Sequence, residues 1–324
     1  MRAVVMRAFG PPQVLEAGQV PDPVPGHGEV VIDAEFAGVT FVETQVRAGR
    51  PPSPRMLPEL PAILGNGVGG TVTAAGPGTG DVHGNLGRRV VASLSGTGGY
   101  AERAAAAASR LIDVPDGVSL RDAVALLADG RTAVGLVRRA GLGPGDTVVV
   151  EAAAGGVGSL LVQLARNAGA RVIALAGGER KLAVARELGA DLAVSYAGPD
   201  WAARVSELAG RADVVFDGVG GDTGLAAFGL LRPGGRFVPF GMASGTFAPV
   251  SAGLAAERRV SVLTGTPPTP QDMTELSRAA LAEAAAGRLR PLIGQVFDLE
   301  RAADAHAAIE ARETTGKTLL AITR

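Results

Sequence analysis

The sequence predicts an α/β chain: a strand-rich domain followed by a doubly wound parallel sheet. Three observations carry this reading. Residues 1 to about 120 form short strand-like runs broken by Gly and Pro. From 121 onward, strand and helix patterns alternate, which argues for a parallel sheet with helices on both faces. Within that alternation, a strand feeds the small-residue turn Ala153–Gly158, which opens directly into a helix. The 324 residues leave room for two domains and a large core.

In the first domain, 1–120, the strands are "AVVMRAF", "GEVVIDAEFAGV", "GGTVTAAG" and "RRVVASLS". "AERAAAAASRLI" carries two readings, because alanine propensity says helix while its surroundings say strand. The second region, 121–265, opens on the helix "LRDAVALLADGRTAVGLVRRAG". "DTVVVEA", "RVIALA", "LAVSY", "DVVFDGV" and "RFVPFG" then read as strands, with "SLLVQLARNAG" and "ERKLAVARELGA" as helices between them. The stretch 259–266 of "RRVSVLTGT" reads as the sixth and outermost strand, stopped by Pro267 and Pro268. The tail, 266–324, adds the helix "PQDMTELSRAALAEAAAGRL", a strand, a second helix and the last strand "KTLLAIT", and is expected to return to the first domain.

Composition excludes several function classes. With 47% hydrophobic and 19% charged residues, the chain is globular rather than disordered. A net charge of −1 gives no basic footprint for nucleic acid and no drive toward anionic membranes. The absence of cysteine rules out disulfides, thiolate nucleophiles and Cys-ligated zinc. No apolar stretch is long enough to span a membrane, and "MRAVVMRAFGPP" is too short in its apolar run for a signal peptide, so a cytoplasmic protein is the expectation.

The turn itself points to phosphate binding. Ala153, Gly155 and Gly158 fit A-x-G-x-x-G, with Gly156 and Val157 between them. Small residues let the backbone turn tightly against a pyrophosphate, and the helix N-terminus offers N–H groups and partial positive charge. An acidic residue at the tip of the next strand would bond a ribose hydroxyl, but here that strand ends in the neutral "ALAGG". Lys181 follows within the first helical turn, where a cation opposes the helix dipole unless an anion sits nearby. A 2′-phosphate would be that anion. Glu179 counts against this, although it suits a helix N-terminus by itself. The 31 basic residues include only two lysines, Lys181 and Lys317, a hint that each sits where a compact ammonium suits better than a guanidinium.

The chain resembles the zinc-free quinone oxidoreductase branch of the medium-chain dehydrogenase/reductases. "GTGGYAE", "GRTAVGLV", "AAAGGVGSLLVQLARNAGARVIA", "KLAVARELGAD", "VVFDGVGG", "LLRPGGRFVPFG" and the terminal "TTGKTLL" carry the resemblance in order. It implies a GroES-like catalytic domain split around a Rossmann domain, with the active site in the cleft between them. It also implies hydride transfer without zinc, since the three histidines, His27, His83 and His306, are too scattered to replace the missing cysteines.

By the same resemblance NADPH is the cofactor. Tyr196 and Arg312 then line its 2′-phosphate with Lys181, and Lys317 is either another such contact or a solvated helix end. Thr132, Phe240, Gly241 and Met242 neighbour the nicotinamide, and Gly177, Val219 and Thr264 complete the cofactor contacts. The segment "GVTFVETQVRAGRPP" aligns with the part of the family beneath the nicotinamide, which makes Thr40 and Gln45 the substrate contacts. Relatives often carry a proton-donating Tyr where this chain has Gln45. Glu43 is expected to make a structural bond. Arg131 replaces a frequently apolar position and either contacts ligand or faces solvent. The implied function is an NADPH-dependent reductase of a quinone or activated enone; an enoyl-thioester or polyketide-tailoring reductase and a non-catalytic NADPH-binding protein are the rivals. The small-molecule substrate is joined by one expected partner, a second copy paired through the edge strand 259–266.

Overall fold

Gly and Pro breaks keep the strands of the first part short. They are β1 (Arg2–Met6), β2 (Leu15–Gln19), β3 (Glu29–Val39), β4 (Ala62–Ile63), β5 (Gly67–Ala75), β6 (Arg89–Ser93), β7 (Arg103–Ala107) and β8 (Leu111–Asp113). Helices α1 (Phe41–Arg47) and α2 (Val82–Asn85) interrupt them, and the long α3 (Leu120–Ala140) follows. Then β9 (Thr147–Val150), β10 (Arg171–Ala176), β11 (Leu192–Ser195), β12 (Ala212–Asp217), β13 (Leu231–Pro239) and β14 (Ser261–Val262) alternate with helices. These are α4 (Gly156–Asn167), α5 (Glu179–Glu187), α6 (Trp201–Ala209), α7 (Gly221–Phe228) and α8 (Ala252–Arg258). The tail supplies α9 (Pro270–Ala285), β15 (Ile293–Asp298), α10 (Ala302–Glu310) and β16 (Lys317–Ala321). The computed structural model describes residues 1–80, 82–265 and 269–322, and of residues 82 and 83 the backbone alone.

Met1–Arg131 and Pro270–Arg324 make one compact unit and Thr132–Thr269 another. The division falls inside α3, not ahead of it at 120 as the change of texture suggests. A helix that continues through a boundary leaves no break in periodicity to read.

In the first unit a three-stranded sheet runs β2-β1-β4 and a seven-stranded sheet runs β15-β16-β3-β5-β6-β8. The long β3 serves two partners along one edge: β7 pairs with its residues 29–33 and β16 with its residues 36–39. Val30, Ile32, Val68, Val90 and Leu320 are fully buried in its core. The alanine-rich "AERAAAAASRLI" is therefore strand β7, a short 3₁₀ turn and β8. Alanine's helix preference, under about 1 kcal/mol per residue, loses to pairing with a buried neighbour.

The second unit holds a six-stranded sheet of order β11-β10-β9-β12-β13-β14, every neighbouring pair parallel. Chain order reverses between β9 and β12. That makes a topological switch point, where open α/β sheets bind ligands outside the carboxyl ends of their strands. Val149, Ile173, Val215, Phe228 and Phe237 build its core, the last two in edge-on contact at 5.4 Å.

The outermost strand is shorter than 259–266. β14 has two residues, because Arg259 takes a left-handed conformation (φ 52°) as the cap of α8, and pairing ends after Leu263 donates to the Phe237 carbonyl at 2.8 Å. Thr266, Pro267 and Pro268 lie outside the described residues. Among the described residues no helix is long and apolar enough to cross a membrane.

Candidate active site

Glu151 follows β9, after which Ala152 turns with φ 47° and its carbonyl accepts the Gly155 N–H at 2.8 Å. Gly158 has to be glycine, since a Cβ there would collide with the Ala152 carbonyl. Gly155 caps α4 in an extended conformation with no side-chain hydrogen bond, so the first amides of that helix have no side-chain acceptor. Ala153 and Gly158 are buried, while Gly155, Gly156 and Val157 form the half-exposed lip of the turn. This is the geometry an anion needs: N–H groups and the positive end of a helix, approachable because no side chain intervenes.

Next along the sheet, Gly177 leaves β10 and Gly178 (φ 84°) caps α5. The Tyr196 ring edge lies 3.6 Å from where a Gly177 Cβ would stand, and the Tyr196 N–H reaches the Ala176 carbonyl at 3.3 Å. Gly177 and Tyr196 thus meet at the carboxyl ends of β10 and β11. Lys181 is half-buried in the first turn of α5, while Glu179 is 84% exposed and leans toward Arg186.

Beyond the switch point the turn after β12 is held from below by two buried carboxyl groups. Asp217 Oδ1 accepts the N–H of Val219 (3.0 Å) and Gly220 (2.6 Å), and Glu151 Oε2 accepts Val219 N–H as well (3.1 Å). Burial, followed by the neighbouring Asp217 carboxyl, pushes Glu151 up to about 10. Phe240 and Gly241 fold back over this turn, both amides on the Asp217 carbonyl. Cβ atoms added at Gly218 and Gly241 would strike Phe240 and the Gly218 carbonyl respectively. Met242 follows and accepts the Gly245 N–H at 2.8 Å. Thr132 is half-buried at the start of this unit. Thr264 is set apart: it is exposed past β14, with its carbonyl on Arg139 at 3.0 Å.

In the first unit Thr40 caps α1 through a reciprocal capping box. Its hydroxyl accepts the Glu43 N–H at 3.4 Å, and its own N–H donates to Glu43 Oε2 at 2.7 Å. Glu43 Oε1 takes the Asn66 N–H at 2.8 Å and Oε2 takes the Tyr100 hydroxyl at 3.1 Å. Burial pushes Glu43 up, against those donors and the nearby Lys317 charge. Tyr100 is raised well above its ordinary value by burial and by Glu43, and its oxygen also meets His306 Nε2 at 3.0 Å. His306 is pushed down to about 3 by burial and by Arg47, so it is neutral. With Tyr100 donating to Glu43, His306 Nε2–H is the donor to Tyr100.

Gln45 is half-buried one position beyond Thr44, to whose hydroxyl its amide donates at 3.3 Å. Arg131 donates to Ser93 Oγ at 3.1 Å. Arg312 belongs to this unit, exposed after α10 with φ 58°. Lys317 is neither solvated nor at a helix end. It is 3% exposed on β16, an inner strand of the sheet, and its ammonium pairs with Asp129 at 3.1 Å.

Family models for an alcohol dehydrogenase GroES-like domain and a zinc-binding dehydrogenase match residues 26–116 and 156–282. The chain is 32% identical to a quinone oxidoreductase of Pseudomonas aeruginosa, covering 98% of this chain and 99% of that one. It is 33% identical to a 2-haloacrylate reductase of a Burkholderia species, covering 99% and 98%. A mycobacterial structure complexed with NADPH superposes with a TM-score of 0.89 at 35% identity, covering 99% and 100%.

The chain belongs to the quinone oxidoreductase branch of the medium-chain dehydrogenase/reductases.

It is an oxidoreductase, with the family's GroES-like unit and Rossmann-type sheet. Among its described residues no group of three or more His, Asp or Glu is placed to hold a metal ion. The sequence reading of the site named the glycine turn and the strand tips but missed Glu151, Asp217, Asn66, Tyr100 and His306. A signal for the first two was present: a charged residue ends each of the apolar runs "TVVVE" and "VVFD". Tyr100 and His306 are rare residue types in this chain, and nothing local says that they meet across 206 positions.

Proposed function

We propose that the chain is an NADPH-dependent reductase that adds hydride to a quinone or an activated enone. The observation that carries the reading is the glycine turn after β9. It lies at the switch point, and the α4 amides behind it have no side-chain cap. A side chain at Gly158 would spoil the turn, and the half-exposed lip leaves the approach open, so these residues fit a pyrophosphate. Gly155, Gly156 and Val157 would hold it, with Lys181, Tyr196 and Arg312 toward the 2′-phosphate. Thr132, Val219, Phe240, Gly241 and Met242 would neighbour the nicotinamide. Bound NADPH supplies the hydride.

On the substrate side, Gln45 can donate a hydrogen bond to a developing oxyanion but cannot deliver a proton. Both Glu43 oxygens already accept hydrogen bonds. Water therefore supplies the proton, which quinone reduction tolerates because its new charge lands on oxygen. A second reading, reduction of an activated carbon–carbon double bond, is favoured by the likeness to a 2-haloacrylate reductase. Initial rates of NADPH oxidation against a panel of quinones and enones test both. A protein that only binds NADPH would consume none with any acceptor.

A further inference from the structure

Within the first unit α3 lies over β5. Cβ atoms added at Gly67 and Gly69 would press on Leu127 and Val124, so the glycines let the helix sit close. One turn past Leu127 the same face carries Arg131. Its guanidinium reaches β6, where Nη1 donates to Ser93 Oγ at 3.1 Å. Among the described residues this is the only hydrogen bond of that side chain, and it forms no ion pair. The acid whose charge reaches it, Asp129, is already paired with Lys317.

A guanidinium has five N–H donors in a planar fork. One of them is used here, on a neutral hydroxyl. Burial pushes Arg131 down, the mark of a cation short of compensation. What matches the free side of such a fork is a carboxylate or similar oxyanion, bound through two parallel hydrogen bonds.

Ser93 pairs with Gly67 across the β5–β6 ladder, and Leu94 N–H donates to the Asn66 carbonyl at 2.8 Å. Asn66 in turn holds Glu43 at the head of α1, the helix that carries Thr40 and Gln45. The guanidinium is thus linked by adjacent residues to the substrate contacts.

We propose that Arg131 binds an anionic group of the substrate, so that the preferred acceptors are enones carrying a carboxylate. The proposal rests on the reductase reading above. In the step itself the β-carbon accepts hydride from the reduced nicotinamide, which is left as NADP⁺. The π pair moves onto the carbonyl oxygen, toward which Gln45 can donate, and water protonates the α-carbon.

A matched pair of acceptors, 3-benzoylacrylic acid and its methyl ester, tests this in the full chain with NADPH. The wild type should favour the acid in kcat/KM, and Arg131→Leu should cut the acid-to-ester ratio by roughly ten- to a hundredfold, chiefly through KM of the acid. Arg131→Lys should keep part of the preference. NADPH affinity, followed by nucleotide fluorescence, shows that each variant is folded and separates a substrate anion from a cofactor phosphate. A ratio unchanged in Arg131→Leu, a wild type that favours the ester, or a loss confined to NADPH affinity would each overturn the proposal. If neither acceptor is reduced, the reductase reading fails, and calorimetric titration of the acid still decides the site. Binding lost in Arg131→Leu upholds it, and equal binding or none in both proteins overturns it.

Discussion

Glu151→Gln should make the second unit more stable, and increasingly so as pH rises. Glu151 is fully buried just past β9, where it accepts the Val219 N–H and feels the Asp217 carboxyl. Burial, then Asp217, raises it from an ordinary 4.5 to about 10. The folded protein at neutral pH therefore keeps a proton that the unfolded chain has released. The stabilisation from this group is complete below pH 4.5 and drains away as pH climbs toward the folded value. One proton of difference corresponds to a slope of about 1.4 kcal/mol per pH unit. Glutamine has the same shape: its amide can donate to Asp217, and its carbonyl can still accept the Val219 N–H. It carries no proton to lose, so the slope should vanish. Urea unfolding followed by Trp201, the single tryptophan, reports this unit because Trp201 is buried in its core. Between about pH 6 and pH 9 the variant's advantage should widen by up to about 4 kcal/mol. Parallel stability curves for the two proteins would refute a neutral Glu151.

Lys181→Ala should raise the Kd for NADPH by roughly ten- to a hundredfold while leaving NADH nearly unaffected, because the 2′-phosphate alone loses a charge-assisted partner; equal losses would count against Lys181. Activity should survive exhaustive chelation, since the chain has no cysteine and its described residues hold no metal-binding cluster of His, Asp or Glu; zinc-restored activity would overturn that. Two copies should pair through the open edge at β14, so sedimentation should find a species near twice 32.5 kDa. Leu263 N–H points inward to Phe237, which turns the Val262 N–H outward, so Val262→Pro should dissociate the pair without breaking the inner ladder.

What could be read from the sequence was what depends on local pattern. The strand–glycine–helix run at Val150–Gly158 dictates its own geometry, and the alternation after 121 fixes a parallel sheet because few other connections are sterically available. Edge and boundary were not legible. Val260, Val262 and Leu263 look like a continuing strand, and nothing in them foretells the left-handed Arg259 that delays pairing. The place of Lys317 was not legible for a similar reason. Its local pattern left a cofactor contact and a solvated helix end both open, but its strand lies between β15 and β3, and its partner Asp129 is 188 residues away. Buried polar pairs of that kind are set by tertiary register, which residue-by-residue patterns do not contain.

Two buried acids, one in each unit, bear on the proton source of the proposed reductase. Glu43 and Glu151 are both desolvated, yet their neighbours drive them to opposite tasks. Glu151 faces another carboxyl group and keeps its proton as a brace beneath the 218–220 turn. Glu43 faces two backbone amides and a tyrosine hydroxyl, so both its oxygens are acceptors and it has nothing to give. Tyr100, the residue type best suited to protonate a substrate, is fully buried and donates into Glu43. Its other neighbour, His306, is held neutral and cannot recharge it. The Glu43–Tyr100–His306 chain therefore fixes the head of α1 and presents Thr40 and Gln45, while no proton passes along it. A reductase arranged this way depends on acceptors that hold new charge on oxygen long enough for water to arrive. That demand suits quinones and enones, and it would exclude simple alkenes with no conjugated carbonyl.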